Sequence, residues 1–217
     1  MTTLHYIMDP QCGWCYAAAP LIQALARDPR FTITLHGGGL FSGINKKPLP
    51  EGFKQQIIAM DKRVTQLTGQ VFSDIYYEKL LNDKQRILDS DTPITALLAA
   101  EVLSMDAVCF LHRMQYSQFV EGRSLADIQH LTDLATEMGI NSATFIDTFR
   151  RLLGNETQRH IEKSQQWLRS VGGQGFPTLL IEQGDGLLRV LDHTRFYGQP
   201  AQWLDYVSAY LNSSQSI

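Results

Sequence analysis

Apolar and polar positions follow two periodicities in this chain, and the switches between them divide it into three parts. Leu4-His5-Tyr6-Ile7-Met8 is a short, mostly apolar run that predicts a strand. Asp9-Pro10-Gln11 reads as a turn, and the residues from Cys15 to Ala26 favour a core-facing helix. Pro20 lies inside that helix and predicts a kink or a break near Ala19. Phe31 to Leu35 alternates apolar with polar and runs into Gly37-Gly38-Gly39, which predicts a second strand. A strand–helix–strand unit of this length fits a right-handed parallel crossover.

From about Pro48 to Val171 the spacing turns helical and no convincing strand is present. Asp91-Thr92-Pro93 places cap residues and a proline at a helix start. Ser124-Leu125-Ala126-Asp127 has capping-box spacing before the periodic run Leu125 to Met138, which Gly139 stops. Asn141-Ser142 opens a helix that reaches Leu153, and a more polar one follows from Glu156 to Val171. Five or six helices are expected here. Sheet pattern then returns: Phe176 to Ile181 reads as a strand entered through Pro177, and Asp185-Gly186 as a hairpin turn into Leu187–Leu191. An amphipathic helix over Ala201–Leu211 closes the chain. The order β-α-β, helices, β-β-α predicts an α/β domain in two pieces, 1–47 and 172–217, around a helical insertion, 48–171.

Composition narrows the classes of function. The 217 residues are 44% apolar, and 19 basic residues face 22 acidic ones, so the net charge is −3. That charge lacks the basic stripe of a nucleic-acid or membrane-surface protein. Ile94 to Met105, the most apolar stretch, contains Glu101 and is too short for a membrane span. Met1-Thr2-Thr3 leads straight into the first strand without the basic and apolar blocks of an export signal, which predicts a cytoplasmic protein. Three cysteines do not make a disulfide scaffold.

Two of those cysteines stand in Cys12-Gly13-Trp14-Cys15, where the predicted strand passes through a turn into the helix. Unpaired N–H groups and a positive dipole end at a helix start favour a thiolate at Cys12. Cys15, one turn further in, faces the same side and can attack a mixed disulfide formed at Cys12. Asp9, three residues upstream, opposes the thiolate. A zinc site needs four ligands, of which this pair supplies two, and Cys109 and His112 complete it only by folding back from the helical region; no metal is expected. Cys109 itself, in Val108-Cys109-Phe110-Leu111, reads as a small buried hydrophobe, and His5 as a hydrogen-bonded structural histidine.

Phe176-Pro177 is the second chemical signal. A proline entering a strand marks either an edge or trans start, or a cis bond that leaves the Phe176 backbone free to pair with extended substrate. Gly37-Gly38-Gly39 permits close approach of a ligand, or is simply a turn. Trp14, Leu40, Phe41 and Phe176 either pack together or rim a site for polypeptide.

With Asp-Pro-x-Cys-x-Trp-Cys between a strand and a helix, and Phe-Pro-Thr opening a late strand, the sequence resembles the DsbA-like branch of the thioredoxin superfamily. Within that branch it is similar to bacterial predicted protein-disulfide isomerases. The likeness spans the chain, since that branch also inserts helices into a thioredoxin-like fold. It implies thiol-disulfide oxidoreductase or isomerase activity on protein or small-thiol substrates. Glutathione is a possible co-substrate, and no cofactor is needed beyond the redox-active pair. Carried over by position, Cys12 is the exposed nucleophile and Cys15 the resolving thiol, with Gly13 and Trp14 setting their surroundings. The resemblance also implies that Pro177 is cis and packs against the cysteines, and that Phe176 and Thr178 contact substrate. Two positions depart from the family: Tyr6 stands where many relatives bury an acid beneath the pair, and Gly13-Trp14 replaces the familiar dipeptides. The alternative is a glutathione-dependent transferase or isomerase of the kappa-class or hydroxychromene-carboxylate type, similar in layout but with Ser-Pro-Tyr-Ser-like residues in place of Cys12–Cys15.

Overall fold

The computed structural model describes residues 2–50, 52–182 and 186–214. A four-stranded sheet runs in the order β2-β1-β5-β6, with β1 at Thr2–Met8, β2 at Phe31–Gly37, β5 at Thr178–Glu182 and β6 at Leu188–Leu191. β1 and β2 are parallel and joined through helix α1, Gly13–Ala26, as the strand–helix–strand pattern predicts. β5 lies antiparallel to β1, with Tyr6 opposite Leu179 and Leu4 opposite Ile181. The alternation of β1 gives the sheet two dissimilar faces. Leu4, Tyr6 and Met8 join the main core with residues of α1, such as Leu21 and Leu25, and Trp203 of the closing helix α8, Pro200–Ser214. His5 faces the other way, against Trp167.

The segment between β2 and β5 holds α2 (Phe53–Thr68), α3 (Asp91–Val102), α4 (Ala107–Phe119), α5 (Ile128–Glu137), α6 (Ser142–Leu152) and α7 (Asn155–Ser170), with a π-helical turn at Tyr76–Leu80. It also contains a two-residue ladder that the periodicity does not reveal: β3, Lys47–Pro48, pairs with β4, Ile87–Leu88. Two residues are too few to establish an alternating pattern.

Pro20 neither breaks nor ends α1, which continues to Ala26. A proline deprives the carbonyl four residues back of its partner; here that carbonyl belongs to Tyr16, and the Gln70 side chain donates to it at 2.9 Å. A distant residue has repaired the local defect. Capping also differs in detail from the sequence pattern. α5 starts at Ile128 and is capped by Asp127, whose carboxylate accepts from the Gln129 and His130 N–H groups, while Ser124 bonds only the Ala126 N–H. α3 starts at Asp91, and the Asp89 carboxylate accepts from the N–H groups of Asp91 and Thr92. Asn141 caps α6 as expected. The hairpin expected at Asp185-Gly186 falls partly outside the described residues, although β5 and β6 do pair antiparallel.

Cys109 is exposed, contrary to the expectation that it is buried. α4 buries Phe110, Leu111 and Met114, and Cys109 lies off that face, with its N–H taken by the Asp106 cap. The apolar neighbours in sequence are not its neighbours in space.

Candidate active site at the start of helix α1

Cys12 is the N-cap of α1, extended in backbone, and its carbonyl accepts the first helical hydrogen bond from Tyr16 at 3.0 Å. Its N–H reaches back to the Asp9 carbonyl at 3.1 Å, which closes the turn. The sulfur therefore sits at the positive end of the helix, where an anion is stabilised. The Cys12 thiol points at the Phe176 carbonyl, 3.7 Å away. It is less open than the family pattern implies, with only 9% exposure, because the site is covered by walls drawn from several elements.

Cys15 is fully enclosed, and its sulfur accepts from the Asp9 N–H at 3.4 Å. Burial pushes the Cys15 thiol far up and the neighbouring Cys12 adds to the rise, while the hydrogen bond from the Asp9 N–H works against it. Asp9 is itself fully buried; its carboxylate accepts from the Gln11 and Leu40 N–H groups, and burial raises its pKa. It thus ties the turn before Cys12 to the loop after β2. Tyr6, in place of the family's buried acid, donates its hydroxyl to the Cys15 carbonyl at 3.1 Å and is held neutral by burial.

The Phe176–Pro177 peptide is cis and leads into β5, an interior strand of the sheet. Thr178 is buried, and its hydroxyl donates to the Gly175 carbonyl at 2.8 Å, so it holds its own turn together. The Phe176 ring rests on Gly38: a β-carbon there would lie 2.0 Å from it. That contact explains one glycine of the Gly37-Gly38-Gly39 run. Trp14 packs on Tyr197, with ring centroids 5.6 Å apart. Of the expected apolar rim, Leu40 and Phe176 meet near Cys12, Phe41 lines the adjoining cleft, and Trp14 turns inward.

Two clefts meet at Cys12. One, of about 370 Å³, runs between the Gly38–Leu40 loop, Gln165 and Leu168 of α7, and the turn at Gly175–Phe176. The other, of about 120 Å³, is walled by apolar side chains of α2 and α4 and contains Gln11, Asp61 and Arg86. Arg86 donates to Gln11 and Gln118. Burial lifts the Asp61 carboxyl to about 7, and its Oδ1 lies 3.1 Å from where a Gly13 β-carbon would sit. Neither Asp61 nor Arg86 is visible as a site residue in sequence, since neither belongs to a motif. Gln11 adjoins the CxxC pair, and that adjacency is the one available signal. Among the described residues no group of three or more His, Cys, Asp and Glu is arranged to hold a metal.

His5, by contrast, is structural in the way its sequence position suggests. It bonds His36 at 3.0 Å and lies 3.4 Å from Glu182.

The model of the DSBA-like thioredoxin domain matches residues 3–198. Among solved structures, the cytosolic disulfide reductase DsbM from Pseudomonas aeruginosa is 37% identical, with 97% of this chain and 98% of that one covered and a TM-score of 0.88. The same enzyme solved with GSH is 36% identical over 97% and 99% of the two chains, with a TM-score of 0.87. A 2-hydroxychromene-2-carboxylate isomerase shares the fold at 16% identity, 96% and 98% coverage and a TM-score of 0.58. No curated protein matches. The chain belongs to the DSBA-like thioredoxin domain family.

Proposed function

We propose that this protein is a thiol–disulfide oxidoreductase that reduces disulfides through Cys12 and Cys15, with glutathione as electron donor and protein or low-molecular-weight disulfides as substrates. The observation that carries the reading is the asymmetry of the pair. Cys12 sits at the helix end where two clefts meet, whereas Cys15 is enclosed and its thiol is pushed up. Cys12 is then the attacking thiolate and Cys15 the thiol that waits.

In the forward cycle Cys12 attacks a substrate disulfide, forms a mixed disulfide and releases one thiol. Cys15 loses its proton and attacks Cys12, freeing the second thiol and leaving the Cys12–Cys15 disulfide. Two glutathione thiols then reduce that bond in two exchanges and leave as glutathione disulfide. The Phe176 carbonyl beside Cys12 is placed to orient an extended substrate. The 37%-identical reductase and its form with GSH support the direction and the donor, and its cytosolic setting supports the same compartment here. Among the described residues no helix is long and apolar enough to cross a membrane.

A glutathione reductase-coupled assay with a mixed disulfide substrate tests the reading. NADPH consumption that depends on this protein and disappears in Cys12→Ser is expected. Equal consumption with Cys12→Ser overturns it.

A further inference from the structure

The 120 Å³ cleft beside Cys12 contains two buried groups of opposite charge that the protein leaves unmatched. Asp61 is 1% exposed, and among the described residues it accepts no hydrogen bond and has no ion-pair partner; its Oδ2 is enclosed without a donor. Arg86 is 8% exposed and its Nε is likewise enclosed without an acceptor. One terminal nitrogen of Arg86 donates to Gln11 and Gln118, and among the described residues no carboxylate lies within ion-pair distance of the guanidinium. The two are not paired with each other; Tyr76 lies within electrostatic reach of both, and Asp83 acts on Arg86 from beyond ion-pair distance. A buried charge without a counter-charge is costly, so such groups persist where a ligand completes them. The walls include Phe53, Ile57 and Phe119, and an apolar surrounding strengthens any charge pair formed inside it.

We propose that this cleft is a subsite for the zwitterionic α-amino-acid end of the thiol substrate, the γ-glutamyl end of glutathione. Its carboxylate accepts from the free Nε–H of Arg86, whose guanidinium Gln11 and Gln118 hold in place, and its ammonium donates to Asp61. The space suits a head group and not a whole tripeptide, being about 120 Å³ against about 370 Å³ for the neighbouring cleft. The rest of the peptide then crosses Cys12 into the larger cleft. An ammonium ligand also keeps Asp61 ionised where burial alone favours its protonated form.

This assignment rests on the glutathione reading above, and the test separates the two. The oxidised protein is mixed with glutathione, N-acetylglutathione, cysteine or 2-mercaptoethanol, and the rate of Cys12–Cys15 reduction is followed by stopped-flow fluorescence. In each exchange the thiolate attacks the Cys12 sulfur and expels Cys15 as a thiolate; a second thiol then releases the small disulfide. Arg86→Gln and Asp61→Asn should each lower the ratio of the glutathione rate to the 2-mercaptoethanol rate by about tenfold, as expected for lost hydrogen bonds to charged groups. N-acetylglutathione should be slow with the unaltered protein and insensitive to Asp61→Asn. Ratios unchanged within twofold in both variants overturn the subsite while glutathione reduction itself stands. A fall for cysteine equal to that for glutathione overturns the γ-glutamyl assignment. Failure of glutathione to reduce the unaltered protein sinks the underlying reading instead.

Discussion

Two regions of this molecule bury titratable groups, and they do so in opposite ways. On the α7 side of β2, His36 and His160 lie with His5 and Trp167 in a cluster whose members satisfy one another. His5 bonds His36, the Gly37 N–H donates to His160 at 2.9 Å, and Trp167 packs on both His5 and His36. Burial holds both imidazoles neutral, His36 down to about 3 and His160 to about 4, with Lys163 adding to each. Around the start of α1, Asp61 and Arg86 are just as enclosed, yet among the described residues Asp61 Oδ2 and Arg86 Nε have no hydrogen-bond partner, and a cleft stands open beside them. Buried polarity that is internally matched supports the fold, whereas buried polarity left unmatched beside Cys12 is what the proposed subsite rests on.

The largest effect expected is on the cysteines. Cys12→Ser should abolish turnover, while Cys15→Ser should accumulate a mixed disulfide at Cys12, visible as a mass shift that dithiothreitol removes. If Cys15→Ser turns over like the unaltered protein, the division of roles between the two thiols is wrong.

Next in size is acid unfolding driven by the histidine cluster. The folded pKa values lie below that of a free histidine, so their stabilisation is present above about pH 6.5 and is lost as pH falls toward 4. The loss should be on the order of 4 kcal/mol by about pH 4.5, read from urea denaturation. His160→Gln, whose side-chain oxygen can still accept from Gly37, should flatten that slope; an unchanged slope removes the cluster as its cause.

Asp61 has the opposite sign. Its carboxyl is raised to about 7, so its folded form prefers the proton, and stability falls as pH climbs from about 4 through about 7. Asp61→Asn should therefore gain on the order of 2 kcal/mol over the unaltered protein at about pH 8, and much less at about pH 4. A constant difference across that range contradicts a buried, unmatched carboxyl.

The smallest effect is steric. Gly38→Ala forces the Phe176 ring off its seat, which should cost about 1 kcal/mol of stability and slow exchange with peptide disulfides several-fold, as measured by insulin reduction. Peptide rates equal to those of the unaltered protein show that Phe176 does not need that seat.

Much of this arrangement is legible along the chain. The strand–turn–helix setting of Cys12 and Cys15 follows from local periodicity, and so does the parallel β1–α1–β2 unit, because each depends on residues a few positions apart. The misreadings share a physical origin. Of the kink or break that Pro20 predicts, the break is absent because Gln70, fifty residues away and out of sight in sequence, caps the freed Tyr16 carbonyl. Cys109 reads as buried because its neighbours in sequence are apolar, yet the face it occupies on α4 turns outward.

The amino-acid order alone marks the Cys12–Cys15 pair, its place at a helix start and the α/β character of the fold, since those are encoded in short-range spacing. Tertiary structure decides which cysteine is enclosed, that Phe176 leans on Gly38, and that Asp61 and Arg86 reach the same cleft as Cys12. Those relations join residues tens of positions apart. Burial and electrostatics depend on what surrounds a group in space, and no local pattern carries that information.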